Sequence, residues 1–471
     1  MDRIETDICI IGAGSGGLSL AAGAVQMGAR VVLIEAGEMG GDCLNFGCVP
    51  SKALISAAKH AHAMRSGAAY GVTPVEPEID YAVAMGHVRG AIETIAPHDS
   101  QERFEGLGVT VLRDRARFVS ESEVEAGPHR ITARRFVVAT GSRPLVPPID
   151  GLADVPFLTN ETLFEQRERP EHLIIIGGGP IGLEMAQAHR RLGCRVTVIE
   201  AMRALGREDP ELAAIALERL RAEGIEILED TKVEKVTGSA GNITVHSGEA
   251  AITGTHLLVA AGRSPTTEGL GLDAAGVAFD KTGIKVDDAL RSSNRRVYAI
   301  GDVAGRQQFT HVANYHAGVI ARSILFGLPA KASDAHISHA TYTDPELAQV
   351  GLTEAEARDR HGDGLEVVRF SYDQNDRAIA EGRTTGLVKV MVHKGRPVGA
   401  GIVGPQAGEM IGTWALILAN GLKMKALTNT VLPYPTLSEV NKRVAGAYFS
   451  PRLFDSPWVK KVVGFIQRHV P

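Results

Sequence analysis

This sequence predicts an α/β fold of several domains, and three observations carry that expectation. A short apolar strand, a glycine-rich turn, a helix, a second strand and a closing glutamate follow one another at the N-terminus. The same series recurs at one fixed offset, so Gly12, Gly14, Gly17 and Glu35 return as Gly177, Gly179, Gly182 and Glu200. After about residue 335 the texture shifts to an α+β pattern with no such fingerprint.

The first series spans residues 7–35. Residues 7–11 form an apolar run, Gly12-Ala13-Gly14-Ser15-Gly16-Gly17 the turn, 18–27 a helix, and 31–34 the second strand ending in Glu35. This is the Rossmann-like dinucleotide-binding unit. Gly12 makes the tight turn, Gly14 admits the pyrophosphate, Gly17 lets helix and strand pack closely, and Glu35 can bond ribose hydroxyls. In the second unit, Gly177, Gly179, Gly182 and Glu200 take the same roles. Two units imply two dinucleotides. Glu200 favours the free ribose of NADH, while Arg203 and Arg207 leave NADPH open.

Residues 40–52, Gly-Gly-Asp-Cys-Leu-Asn-Phe-Gly-Cys-Val-Pro-Ser-Lys, follow the first unit and hold half of the four cysteines. In a regular helix the offset between Cys43 and Cys48 leaves their Cα atoms too far apart for a disulfide, which wants roughly 4.4–6.8 Å. The backbone must therefore leave the helix between them, and Gly47 permits this. A strained turn opening a helix at about Val49 is expected. Both thiols then lie near a helix N-terminus, whose partial positive charge, with Lys52, lowers a thiol pKa. A redox-active pair is one reading; two inert buried cysteines are the other. Cys9 and Cys194 read as core residues.

Residues 136–144 form a strand ending in a turn at Gly141, and 257–265 repeat that pattern with Gly262. Pro144, Pro147, Pro148 and Gly151 mark a boundary. Residues 297–305 are another strand ending in an acidic turn at Asp302, which is plainly read as a turn aspartate. Further on, residues 341–346, 387–392 and 398–403 read as strands, and 409–420 and 437–447 as helices.

The bulk properties exclude several classes. A chain of 471 residues suits two or three domains, and its composition, 44% apolar and 22% charged, is ordinary for a globular protein. A net charge of −5 gives no basic surplus for nucleic acid. The N-terminus shows no signal-peptide pattern, and no apolar run is long enough to span a bilayer. So few cysteines fit a reducing compartment, and a cytoplasmic protein is expected.

The stretch at residues 40–52 closely resembles the redox motif of the class I pyridine nucleotide-disulfide oxidoreductases, which include dihydrolipoamide dehydrogenase, glutathione reductase and mercuric reductase. Asp42 and Phe46 stand where that family often has Thr and Val. The resemblance covers nearly the whole chain. It implies an FAD-binding domain at 1–150 with a redox disulfide, an NAD(P)-binding domain at 151–270, a second FAD segment at 271–335 and an α+β dimerisation domain at 336–471. It implies FAD contacts from Gly12, Gly14, Gly17, Glu35, Lys52, Gly141, Asp302 and Ala313. Gly177, Gly179, Gly182, Glu200 and Gly262 would serve the nicotinamide nucleotide. Cys48 would lie beside the flavin, Cys43 would meet the substrate, and Lys52 would pair with Glu184 beneath the ring. His311 and His316 flank the expected helix start and are assigned no chemistry.

The family also places the catalytic acid/base on the dimer partner. Dihydrolipoamide dehydrogenase and glutathione reductase carry a histidine where this chain has Tyr434, with a glutamate matching Glu439. A phenol, with a pKa near 10, is a poor base at neutral pH, although it can donate a proton or a hydrogen bond. Mercuric reductase resembles this chain in having tyrosine there, but this chain lacks that enzyme's C-terminal cysteine pair and its N-terminal Cys-x-x-Cys domain. The plainer reading of Tyr434 is a packing aromatic.

The function expected is transfer of electrons from NAD(P)H through FAD and a Cys43–Cys48 disulfide to a small disulfide acceptor, in a homodimer without a resident metal. Metal ions and quinones are alternative acceptors, and a redox-sensing flavoprotein is an alternative of another kind. The tail, with an apolar stripe from Trp458 to Ile466 and cations at Lys460, Lys461 and Arg468, reads as packing against the dimer or as weak contact with an anionic membrane surface.

Overall fold

The computed structural model describes residues 1–470. The chain forms two compact units, Met1–Ala201 with Ile227–Ser333, and Met202–Glu226 with Asp334–Pro471.

The first unit is built on a seven-stranded sheet. Its order is Thr110–Leu112, Val31–Ile34, Asp2–Ile11, His129–Val138, Glu123–Ala126 and Ala116–Ser120, with Val297–Ala299 also paired to His129–Val138. Asp2–Ile11 runs parallel to both of its neighbours. Parallel strands are covered on both faces, which is why the runs are apolar without alternation. Ile8, Ile10, Val31 and Leu33 enter one core, and Cys9, Ile11, Val32 and Ile34 enter the other. Each such side chain contributes about 1.5–3 kcal/mol relative to an exposed one. Cys9 is a core residue, as is Cys194.

A second parallel sheet, Glu226–Leu228, Arg195–Ile199, His172–Ile176 and His256–Val259, carries the second fingerprint. A three-stranded antiparallel sheet follows Glu226–Leu228 in the chain. The two repeated segments after residues 136 and 257 pair with each other as antiparallel strands Ser142–Pro144 and Arg263–Pro265.

The second unit holds a five-stranded antiparallel sheet, Ser338–Thr341, Glu346–Gly351, Arg396–Gly404, Leu387–His393 and Leu365–Ser371. Helices Ala407–Ala419 and Glu439–Phe454 supply Trp414, Ile417, Val440 and Val444 to its core. The strand expected at 341–346 is instead a turn between two strands. Pro345 has no N–H to give a ladder, and the Thr343 hydroxyl donates to the Pro345 carbonyl at 2.8 Å.

Helix Pro210–Ala222 follows the second fingerprint in the chain yet belongs to this second unit. It is held there by charge. Buried Lys389 lies 2.9 Å from Asp209, 2.8 Å from Glu211 and 2.7 Å from Glu354. Truncating one partner of such a cluster costs about 3–5 kcal/mol, because the remaining charges stay buried. The chain ends in helix Pro457–His469, none of whose residues is buried. Among the described residues no helix is long and apolar enough to cross a membrane.

Candidate functional site

The two glycine fingerprints fold alike. Gly12 and Gly177 have φ of +110° and +116°, a region that favours glycine, and a Cβ on either would meet a carbonyl oxygen at 2.4 Å. A Cβ on Gly17 or Gly182 would strike the carbonyl of Gly12 or Gly177 at 1.9 or 2.0 Å, so each helix leans on its own turn. Gly14 and Gly179 cap the helices, and a Cβ there meets nothing within 4 Å. This open space before a helix N-terminus fits the pyrophosphate of a dinucleotide. Glu35 accepts from the amides of Ala13 at 2.6 Å and Gly37 at 2.7 Å, and Glu200 accepts from Gly178 at 2.7 Å. Each carboxylate thus braces the glycine-rich loop before its helix.

The residue 40–52 stretch docks on the first turn. Gly40 donates to the Ala13 carbonyl at 3.0 Å, and a Cβ on Gly41 would come within 2.8 Å of the Gly14 Cα. Cys43 lies in a short helix, Gly41–Asn45, and Cys48 is the first residue of helix Cys48–Arg65. That helix therefore opens at Cys48 and not at Val49. Gly47 breaks the two helices with φ −127° and ψ −108°, and a side chain there would crowd Asp42.

Both thiols are free; Cys43 is half-buried and Cys48 exposed. Interaction with the Cys43 thiol is the largest cause lowering Cys48, to about 6, with help from Thr310 and from the charge of Lys52. Interaction with Cys48, followed by burial, raises Cys43. The two shifts run in opposite directions and favour the negative charge on Cys48. Thr310 was not anticipated. Its hydroxyl lies 3.3 Å from the Cys48 sulfur and it is the first residue of helix Thr310–Phe326, so two helix N-termini converge on this thiol. Lys52 pairs with buried Glu184 at 2.8 Å, the pairing expected for them.

A charged chain extends from Asp42. Asp42 accepts from Asn160 at 2.9 Å and meets Arg263 at 3.1 Å. Arg263 donates to the Ser142 hydroxyl at 2.6 Å, and that hydroxyl donates to Asp302 at 2.5 Å. Burial raises the Asp302 pKa, opposed by the Ser142 bond and by Arg263. The loop before Cys43 is thereby tied to the carboxylate expected to hold the flavin. Gly141 has φ +66° with open space beside it, and Gly262, at φ +128°, faces Leu145. Ala313 is where helix Thr310–Phe326 touches Gly16 and Gly301: a Cβ on either would come within 3.0 Å of it. His316 is buried and accepts from the Gly301 amide at 3.2 Å, while His311 stacks on Phe309.

Tyr434 and Glu439 belong to the second compact unit. Glu439 is the first residue of its helix. Tyr434 is 68% exposed and its hydroxyl donates to Asp376 at 2.9 Å. That bond, followed by the charge of Asp376, raises the phenol pKa. Sequence reasoning paired Tyr434 with Glu439 and missed Asp376. Among the described residues no group of three or more His, Cys, Asp or Glu is placed to hold a metal ion.

The geometry can therefore seat two dinucleotides and present two free thiols beside the first. Residues 6–317 match the model of the pyridine nucleotide-disulphide oxidoreductases, and residues 337–445 match the dimerisation domain of that family. The chain is 36% identical to a mercuric reductase of Acidithiobacillus ferrooxidans, over 95% of this chain and 83% of the relative. It is equally identical to a dihydrolipoyl dehydrogenase of Thermus scotoductus, over 92% of this chain and 95% of the relative. Among solved structures, the Cu(II) complex of the HOCl-induced flavoprotein disulfide reductase RclA from Escherichia coli aligns with a TM-score of 0.84 at 28% identity. The alignment covers 93% of this chain and 99% of that one. Members of the family use FAD and NAD(P)H. On the repeated fingerprints, the cysteine pair and these matches, the chain belongs to the class I pyridine nucleotide-disulfide oxidoreductases.

Proposed function

We propose that this protein is an NAD(P)H-dependent disulfide reductase whose working pair is Cys43 and Cys48. The observation that carries the reading is a pair of free thiols flanking Gly47, with Cys48 at a helix N-terminus, 3.3 Å from Thr310 at the start of another helix, and with Lys52 one turn on. FAD, when bound, supplies the two-electron link between the nicotinamide and this pair. Gly12, Gly14, Gly17, Glu35, Gly141, Asp302 and Ala313 would hold FAD. Gly177, Gly179, Gly182, Glu200 and Gly262 would hold the nicotinamide nucleotide, NADH before NADPH.

The Cys48 thiolate takes the Cys43 proton as Cys43 attacks the acceptor; a Cys43–acceptor disulfide forms and the first thiolate leaves, taking that proton from Cys48. The Cys48 thiolate so restored attacks Cys43, closing the intramolecular disulfide and releasing the second thiolate, which takes a proton from solvent. The sum is NAD(P)H + H⁺ + RSSR → NAD(P)⁺ + 2 RSH. Lys52, fixed by Glu184, holds charge beside Cys48 throughout. We further propose a homodimer, with Tyr434 and Glu439 completing the partner's site, acting in the cytoplasm.

A metal ion is the second reading. Tyr434 favours it, because a phenol whose pKa is raised by Asp376 is no base for thiol chemistry, and two thiols can take a soft cation directly. A relative bears the name mercuric reductase, and RclA was solved with Cu(II). NADH-driven turnover with lipoamide, glutathione disulfide and Hg(II), side by side, tests both. Disulfide turnover lost in Cys43→Ser supports the first reading; turnover with Hg(II) alone replaces it by the second.

A further inference from the structure

The C-terminal helix Pro457–His469 differs from every other α-helix among the described residues. None of its residues is buried, although Ser456 caps it by accepting from the Val459 amide at 3.4 Å. It also lies beyond the stretch matched by the dimerisation domain, which ends at residue 445. At 3.6 residues per turn, Trp458, Val459, Val462, Val463, Phe465 and Ile466 fall within one arc of about 160°, which they share with His469, whose ring lies 4.8 Å from that of Phe465. Trp458 is 71% exposed and Phe465 62%, so most of this arc faces outward. Leu453 and Phe454, at the end of the preceding helix, are exposed as well.

Charge selects what covers the arc. Lys460 borders one of its edges, and Lys461 and Arg468 border the other. No acidic residue occurs from 457 to 470, in a chain whose net charge is −5. A groove in another protein would cover the apolar arc and leave both cationic edges without a role. A lipid headgroup layer meets all three at once. The apolar arc sinks below the headgroups, the aromatic rings sit at the boundary, and the flanking cations reach anionic phosphates on either side. We infer that this helix lies in the plane of an anionic membrane surface and holds the enzyme there reversibly, without crossing it.

The test uses full-length, FAD-loaded protein and vesicles of phosphatidylcholine with about 30% phosphatidylglycerol, against phosphatidylcholine alone. Cosedimentation with the anionic vesicles is expected, together with a blue shift in tryptophan emission. The chain has two tryptophans, and Trp414 is fully buried, so the shift reports on Trp458 and must vanish in Trp458→Phe. Each cation near such a surface strengthens binding about fivefold. The triple variant Lys460→Gln, Lys461→Gln, Arg468→Gln should therefore lose on the order of a hundredfold in partitioning with unchanged turnover. Equal binding to both vesicle types, or none to the anionic ones, overturns the inference. So does dissociation of the dimer by Trp458→Ala with Phe465→Ala, read by analytical ultracentrifugation, since the partner subunit would then cover the face.

Discussion

The two dinucleotide units are near copies in backbone and differ in what rests on them. Their turns share the same positive φ, the same carbonyl pressed against the first glycine and the same carboxylate bracing the loop. Against the first turn, however, lie Gly40 and Gly41, which deliver Cys43 and Cys48. The second lends Glu184, buried in its helix, to Lys52. One local strand-to-helix turn is thus used twice. Its chemistry is set by the neighbouring segment: one unit holds thiols, and the other holds the counter-charge of the lysine beside them.

The largest test of that difference removes the thiols. Either Cys43→Ser or Cys48→Ser should lower NADH-driven turnover by at least about a thousandfold, because each is needed for a covalent step. Steady-state kinetics on FAD-replete protein would show it.

The next test treats the copies alike. Gly14→Val and Gly179→Val place equal bulk where a Cβ meets nothing, so both chains should fold. The first should purify without flavin absorbance. The second should keep its flavin yet lose about a hundredfold in kcat/KM for the nicotinamide. Identical losses would mean that the two loops are not divided between two nucleotides.

A smaller effect follows from Lys52→Met. Removing that positive charge destabilises the Cys48 thiolate, so its pKa rises from about 6 toward the ordinary thiol value. Turnover that depends on the thiolate climbs as pH rises through about 6, and this limb should move to higher pH in the variant. Iodoacetamide alkylation rates against pH would measure the shift; an unmoved limb would remove Lys52 from the account. Smaller again, Glu200→Ala should relax the preference for NADH over NADPH by about tenfold, since a carboxylate at the ribose repels a 2′-phosphate.

The sequence made local features legible and left long-range partners hidden. The glycine turns, their strands and the thiol loop are contiguous patterns, and each folds as its spacing implies. Thr310 lies 262 positions from Cys48 and follows no motif, so nothing in the chain announces it. Asp42 stood out as an unusual residue, but its partner Arg263 becomes evident only when strands Ser142–Pro144 and Arg263–Pro265 pair. Asp376 is an ordinary first-turn aspartate until Tyr434 reaches it. The Lys389 cluster draws helix Pro210–Ala222 into the second unit, against the order of the chain. In each case the missing information was a pairing between distant segments, which periodicity and propensity do not encode.

The central claim is that the two cysteines are unequal, with the negative charge on Cys48 beside the first unit. Anaerobic stopped-flow reduction with NADH tests it most directly. Long-wavelength charge-transfer absorbance should appear in the parent protein, persist in Cys43→Ser and be absent from Cys48→Ser. Absorbance that survives in Cys48→Ser and is lost in Cys43→Ser would contradict the assignment.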